Sequence, residues 1–386
     1  MQFNSEKNEW TVTGYTEAKH LLKGPVVQSG FGAKDQRDSL LVPSPSLPAL
    51  DGDEHRDKRR EVGKLFTPKA SETYNEFIQL IVLEKLNAAL NTDSKIFDYK
   101  HLATEIAHDV ASEVVGLEHN PGLVDRYLHV AQHHDVKMGW SFETIRNAYD
   151  TMSSLFQFWV LDVRPAIKVN RNQSNHNLIS YMLRAGYDSF TILIDTIAFG
   201  LAGVLTTREL MVSVLLECLR THEYYELMRS DDFEARKRFV LEILRLNPVT
   251  AHLYREAYED ISISLPDAEY VVQAGQSLCF DIKAINRDPR VYPVNPDGID
   301  ITRDTSKMEW SMLAFGYAHH RCPGEHMAII ETDLLLHHLL QNTVTLVSEP
   351  YHSYQVESMT NEINNIFVEV ELSSQMTQQK DDLLTV

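Results

Sequence analysis

Residues 187–220 constrain this chain more than any other segment. Apolar residues recur there at helical spacing, and few charges interrupt them before Arg208. A helix with so little polar surface has to run through a core built around it. The chain has 386 residues, 43% of them hydrophobic, which is ample material for such a core. Length alone suggests two or three domains. No linker or repeat divides the sequence, however, and its one Pro/Ser-rich stretch, residues 42–48, is short and close to the start. The absence of a continuous run of about 18 apolar residues argues against a membrane span. The polar first ten residues have neither the basic start nor the apolar segment of a signal peptide.

Most of the remaining pattern is helical. A short strand at residues 10–15 leads into a helix at 16–23, where Ala18, Leu21 and Leu22 share a face. Residues 25–53 hold Gly, Ser, Pro and Asp without a period and read as a long loop, a type of segment that is often functional. From Glu54 to about residue 226 helices follow one another, punctuated near Gly116, Pro121, Gly139 and Pro165. A further helix at residues 233–246 is stopped by Asn247-Pro248. The period then changes to two, with strands at 261–265 and 270–273. Residues 286–321 are loop-rich, 325–341 are helical, and 343–372 form short strands, clearest at 366–372. The expected fold class is mainly α with small β-sheets, the β portion weighted to the C-terminal third. Residues 1–372 form one domain, and the polar tail 373–386 is expected to be disordered.

Cys218, Cys279 and Cys322 are too few and too scattered for a disulfide framework. A reducing cytoplasm is the expected compartment. The net charge of −19 argues against nucleic acid as a partner, because phosphate binding needs positive surface.

The chemistry centres on Phe315-Gly-Tyr-Ala-His-His-Arg-Cys322-Pro-Gly-Glu-His-Met-Ala328. A small-residue loop leads into Cys322, and Pro323-Gly324 introduce a helix. A thiol facing a helix N-terminus is favoured as thiolate by the dipole and free N–H groups. A thiolate can hold a soft metal, and on haem iron it pushes electron density toward O–O cleavage. Two other readings remain open at this level. One is a buried structural cysteine, which also suits Cys218 and Cys279. The other is a zinc site of His319, His320, Cys322 and His326, whose spacing matches no common zinc pattern.

The segment resembles the haem-binding loop of the cytochrome P-450 family, Phe-x-x-Gly-x-His-x-Cys-x-Gly. Phe315, His320, Cys322 and Gly324 match in register, while Ala318 stands where the family has glycine. Other segments match in chain order between about residues 10 and 372. Glu242-Ile-Leu-Arg245 is similar to the family's Glu-x-x-Arg core pair. Its usual third partner, from Pro-x-Arg-Phe, reads Pro296-Asp-Gly-Ile here. His55 and Arg59 resemble the family's His-x-x-x-Arg, which binds the haem propionates; Arg255 and His320 match two further propionate ligands. Asn286-Arg-Asp-Pro289 matches a common turn of the family. Ala202-Gly203-Val-Leu-Thr206 resembles the oxygen-binding stretch of the central helix, where Gly203 allows the helix to open and Thr206 holds water or peroxide. Leu205 occupies the position of the acid that normally relays protons. Glu209 is expected to be a surface charge.

The resemblance implies a single-domain cytochrome P-450 fold binding haem b (iron protoporphyrin IX) through Cys322. It implies a monooxygenase of secondary metabolism that oxidises a small-to-medium organic molecule with dioxygen. Electrons would come from a ferredoxin or flavodoxin with its reductase, without membrane attachment. Arg56, Lys58, Arg60 and Lys64 would steer such an acidic donor if they lie near the cysteine; otherwise they form a solvated helix face. Leu205 leaves room for an atypical member that uses peroxide or performs coupling, cyclisation or desaturation. A non-catalytic auxiliary protein is the remaining alternative. By resemblance, the substrate would meet the 25–53 loop, helices around 135–170, Ala202, residues 250–252 and a turn at 361–365. Leu40, Leu41, Trp140, Phe142, Phe199, His252 and Asn364 are the candidate contacts.

Overall fold

The computed structural model describes residues 1–30, 33–38, 45–92, 94–118, 120, 122–132, 142–171, 176–266, 268–304, 312–355 and 360–373. Leu40, Leu41, Trp140 and the tail from residue 374 lie outside the described residues, as does the side chain of Phe142.

The long apolar helix runs from Ser189 to Arg220, capped by Asp188, which accepts from the N–H groups of Phe190 and Thr191. It is long and apolar enough to cross a membrane by length and composition alone. Here it packs instead against helices Tyr99–Val115 and Glu325–Leu339. Helix Pro68–Leu90 completes this group, resting on both of those neighbours. Their shared core includes Ile78, Val82, Ile106, Val110, Met211, Leu215 and Leu335. A second core lies under the first half of the long helix and joins Phe158, Val163, Ile167, Leu178 and Ile192.

The β portion is larger and more dispersed than its sequence pattern suggests. The main sheet has the order Gln2–Asn4, Glu9–Val12, Ser277–Asp281, His252–Ala257, Val26–Gln28. Strands from the two ends of the chain meet in it, with Thr11 opposite Cys279. The 25–53 segment is therefore not a plain loop: it contributes strand Val26–Gln28, helix Ala33–Asp38 and the turn Leu47–Ala49. Ile261–Ser264 and Glu269–Val272 form the expected hairpin. Residues 361–364 are not a turn but belong to strand Thr360–Asn364, paired with Tyr351–Gln355. Phe367–Glu371 pairs with Thr343–Leu346 and Ile96–Asp98.

One buried network fixes the path toward Cys322. Arg245 donates to both carboxylate oxygens of Glu242, at 2.7 and 2.9 Å, and both residues are fully buried. The guanidinium also donates to the carbonyls of Asn286, Pro296 and Gly298. Asn286 in turn accepts from the N–H of Leu313, two residues before Phe315. The Glu-x-x-Arg pair thus organises the approach to the cysteine loop. Its third partner is Arg303, whose Nε lies 3.2 Å from Glu242. Gly298, where the family carries arginine, supplies only its carbonyl.

Candidate functional site

The loop before Cys322 closes on itself. Cys322 N–H donates to the Phe315 carbonyl at 2.7 Å, and Gly316 N–H donates to Leu313. Gly316 has φ +73, and a Cβ there would lie 3.0 Å from the His320 carbonyl, so the tight turn requires glycine. Ala318 begins a short helical turn, Ala318–His320, with φ +54. From its small side chain, alanine in place of the family's glycine should restrict this turn only slightly. The backbone shows more: alanine is held in the left-handed region, at a cost of about 1–2 kcal/mol. Gly324 caps helix Glu325–Leu339, and a Cβ on it would lie 4.0 Å from Cys322 Sγ. Surrounding protein pushes the Cys322 thiol up. The Gly324 N–H, Arg59 and Arg321 pull it down, and Glu325 adds to the rise. Cys322 is exposed all the same, so the rise comes from the protein packed around the sulfur; the helix terminus opposes it without overcoming it, and coordination to a cation is what would deprotonate this thiol fully. Cys218 and Cys279 are buried, as their structural reading requires, and burial pushes both thiols up. Among the described residues no group of three or more His, Cys, Asp or Glu side chains is placed to hold a metal ion, which leaves the zinc reading without geometry.

The four propionate candidates come together from three distant segments. Helix Gly52–Val62 supplies His55 and Arg59, strand His252–Ala257 supplies Arg255, and the cysteine loop supplies His320. The rings of His55 and His320 stand 4.3 Å apart. Arg59 donates to the carbonyl of Arg321, next to the cysteine. Among the described residues Asp51 is the acid that directly joins the group: it accepts from His320 Nε2 at 3.0 Å, from Gln28 N–H at 2.9 Å and from Arg37. Arg255 is bound to Gln28. Burial pushes the Arg255 guanidinium down to about 10. Burial, with the neighbouring His320 and Arg59, pushes His55 down to about 4. Asp51 is thus bonded to His320, Gln28 and Arg37, while Arg59 and Arg255 pair with no carboxylate among the described residues. Two further carboxylates would neutralise those two guanidiniums. The residues therefore fit haem propionates.

On the opposite side the long helix loses its cover. It is buried at 191–193, 195, 196 and 207–212, yet Ala202 is exposed and Ala198, Phe199, Leu201, Gly203, Leu205 and Thr206 are half-buried. This uncovered face coincides with the Ala202–Thr206 motif. The helix stays continuous through it, and Thr206 Oγ1 donates to the Ala202 carbonyl at 2.6 Å. The helix is therefore not opened at Gly203. A Cβ on Gly203 would lie 3.4 Å from Ala111 Cβ, so the glycine serves close packing on helix Tyr99–Val115.

Glu209 is not a surface charge. It is 1% exposed and engaged by Lys100 at 2.9 Å, by Arg208 at 2.8 Å and by the N–H of Ile363 at 2.9 Å. It anchors strand Thr360–Asn364 and is not poised beside Thr206. The cationic row of Arg56, Lys58, Arg60 and Lys64, which runs from helix Gly52–Val62 into the turn Gly63–Phe66, is paired with acids throughout. Arg56, Arg60 and Lys64 each pair with an acid three residues earlier, Asp53, Asp57 and Glu61. Lys58 is 2% exposed and paired with Asp195 of the long helix, which also accepts from Leu47 N–H at 2.8 Å. Among the substrate candidates, Phe199 is half-buried and stacks on Phe66 at 6.2 Å. The Nδ1 of half-buried His252 has no hydrogen-bond partner among the described residues. Asn364 is tied to Lys100 and Ser353. Asp51, Asp195 and Arg303 belong to no motif and carry no signal in the sequence, and Lys58 is legible there only as one of a cationic row.

Comparison with known proteins bears on this arrangement. The sequence model of the family described as Cytochrome P450 matches residues 124–352. Cytochrome P450 GfsF of Streptomyces halstedii is 26% identical over 351 residues, covering 87% of this chain and 80% of its own. The solved structure of P450BioI with hexadec-9Z-enoic acid ligated acyl carrier protein has a TM-score of 0.74 at 23% identity, covering 94% of this chain and 92% of that one. The cytochrome P450 enzyme CxnD, described for C–S bond formation in chuangxinmycin biosynthesis, has a TM-score of 0.75 at 19% identity, covering 93% and 87%.

Proposed function

Because this chain belongs to the cytochrome P450 family of haem-thiolate oxidoreductases, we propose that it is a monooxygenase acting on a small-to-medium organic molecule of secondary metabolism. Cys322 is the iron ligand in this reading, and His55, Arg59, Arg255 and His320 bind the propionates of haem b. The observation that carries it is the convergence of those four donors on the cysteine loop, where Arg59 and Arg255 pair with no carboxylate among the described residues. When bound, the haem supplies activation of dioxygen with electrons from a separate ferredoxin or flavodoxin system. The chain's own groups prepare that chemistry. Phe315 packs against the core beside the loop. Gly324 directs its N–H toward the sulfur, which draws charge off the thiolate. Ala202 leaves the helix face low enough for a flat ring to approach, and the Thr206 hydroxyl, now on the Ala202 carbonyl, is the group available to hold a proton or a water. The reaction takes place in the cytoplasm.

A second reading is favoured by one specific feature. Leu205 has no proton to give, and Glu209 is committed to Lys100, Arg208 and Ile363. No acid on this stretch of the helix is poised beside Thr206. Use of peroxide, which brings its own protons, demands less of such a relay than activation of dioxygen does, whether the product is hydroxylated, coupled, cyclised or desaturated. Turnover with a ferredoxin system and with hydrogen peroxide, measured on the wild type and on Leu205→Asp, separates the two. If ordinary oxygen activation is the native reaction, Leu205→Asp raises the fraction of reducing equivalents that reach product. If it lowers that fraction while peroxide supports the wild type, the second reading stands.

A further inference from the structure

Residues 142–171 form one nearly continuous helical rod: helix Phe142–Phe158, a π-helical turn Trp159–Val163, and helix Arg164–Asn170. Its inner side is buried at Ser154, Phe158, Asp162, Ala166 and Asn170. Its outer side exposes Tyr149 by 72%, Met152 by 63%, Phe156 by 66% and Leu161 by 51%, a large apolar surface to leave in water. Beyond them Arg164, Lys168 and Arg171 are exposed, and none forms an ion pair with another described residue. Successive members of this row are separated by three or four residues, except for one step of five between Phe156 and Leu161. That step spans the π turn, which takes up the additional residue. The seven side chains therefore share one stripe, apolar in its first half and cationic in its second.

We propose that this stripe is the docking surface for a small acidic protein with apolar residues at the centre of its contact face, one that presents the substrate on a tether. The proposal rests on the oxidation of an organic molecule argued above, and its binding test is read without turnover. Charge selects the class of partner. The whole chain carries −19, so a free cationic row is a local exception. A compact acidic protein touches only that row, within the roughly 8 Å over which charges act at physiological salt. An anionic membrane would also face the rest of the acidic surface, and its own negative potential would repel it. The position selects its role. The rod packs on the core of Phe158, Val163 and Ile167, whereas Leu313, Phe315 and Tyr317 of the cysteine loop pack on the two other cores. An electron donor has to reach the cysteine side, so the occupant of this stripe carries substrate.

The test uses the haem-loaded protein and, as probe, a fluorescently labelled acyl carrier protein bearing its phosphopantetheine arm. Binding is measured by anisotropy at low and at about 0.3 M salt. Saturable binding that weakens about tenfold in the higher salt is expected, with a further loss of about tenfold in Lys168→Glu and in Phe156→Glu. Both sites are exposed, and an unchanged carbon monoxide difference spectrum checks that the variants remain folded. Three results overturn the proposal. They are no binding by the wild type, binding that both variants leave unchanged, and loss in the variants only of adhesion to phosphatidylglycerol vesicles or of self-association in sedimentation. None of these bears on whether the protein oxidises its substrate.

Discussion

Glu242 and Arg303 lie 3.2 Å apart, joining the Glu-x-x-Arg pair to a guanidinium that no motif of this chain announces. Arg303 also donates to the carbonyls of Val294 and Asn295, and its guanidinium sits 5.5 Å from the centre of the Tyr292 ring, the ring that faces Arg245 at 4.7 Å. Arg303→Ala is expected to cost about 1–3 kcal/mol, because it removes a cation beside a buried carboxylate together with the guanidinium's bonds to the Val294 and Asn295 carbonyls. Arginine restored at 298 should not rescue it, since a Cβ on Gly298 would collide with the side chain of Asn295. Denaturant unfolding of Arg303→Ala and of the double variant with Gly298→Arg checks both statements. Rescue by the second change would show that the 298 position still accepts the partner.

Ala318 makes a second prediction. Its left-handed backbone costs about 1–2 kcal/mol, whereas glycine loses about 0.5–1 kcal/mol in added freedom of the unfolded chain. Ala318→Gly should therefore stabilise the protein by about 0.5–1 kcal/mol and slow the loss of haem to a scavenger. A destabilised variant would mean that the alanine methyl makes a contact worth more than the strain.

The buried pair of Lys58 and Asp195 can be separated from its surroundings. Lys58→Met leaves Asp195 charged in the core beside the Leu47 N–H and should cost about 3–5 kcal/mol. Lys58→Met together with Asp195→Leu should recover most of that loss, apart from the orphaned N–H of Leu47. A double-mutant cycle in guanidinium chloride measures the coupling.

Glu331 provides the pH dependence. It is 4% exposed, burial holds its carboxyl well above the usual carboxylate range, and its Oε2 finds no hydrogen-bond partner among the described residues. A folded-state pKa above the unfolded value means that the native state holds the proton more tightly. Its contribution is then complete below the unfolded pKa and is lost as pH rises toward the folded one, at about 1.4 kcal/mol per pH unit. Glu331→Gln should remove that slope and be the more stable protein at pH 8. Parallel unfolding curves for the two proteins across pH 5–9 would contradict the assignment.

What the sequence disclosed depended on the range of the interaction. The cysteine loop, the Glu242–Arg245 pair and the long helix are local patterns, and the structure has each where spacing placed it. The charges at 56–64 look like a single solvated face because Lys58 is distinguished only by Asp195, 137 residues away. Glu209 looks exposed for the same reason: Lys100 and Ile363, which bury it, are remote in sequence. Strand His252–Ala257 carries Arg255 inward and Glu256 outward, and its identity as a strand depends on pairing with Ser277–Asp281 and Val26–Gln28 rather than on its own composition. The propionate set needed both kinds of information. Motifs named His55, Arg59, Arg255 and His320, but only the fold showed that Asp51 bonds His320 and that the two guanidiniums pair with no acid among the described residues.

The most direct measurement is the carbon monoxide difference spectrum of the dithionite-reduced protein, expressed with haem supplied, beside that of Cys322→Ala. The account predicts the strongly red-shifted Soret band of a thiolate-ligated haem in the wild type and its loss in the variant. A wild-type protein that binds no haem, or a variant that keeps the red-shifted band, would contradict it.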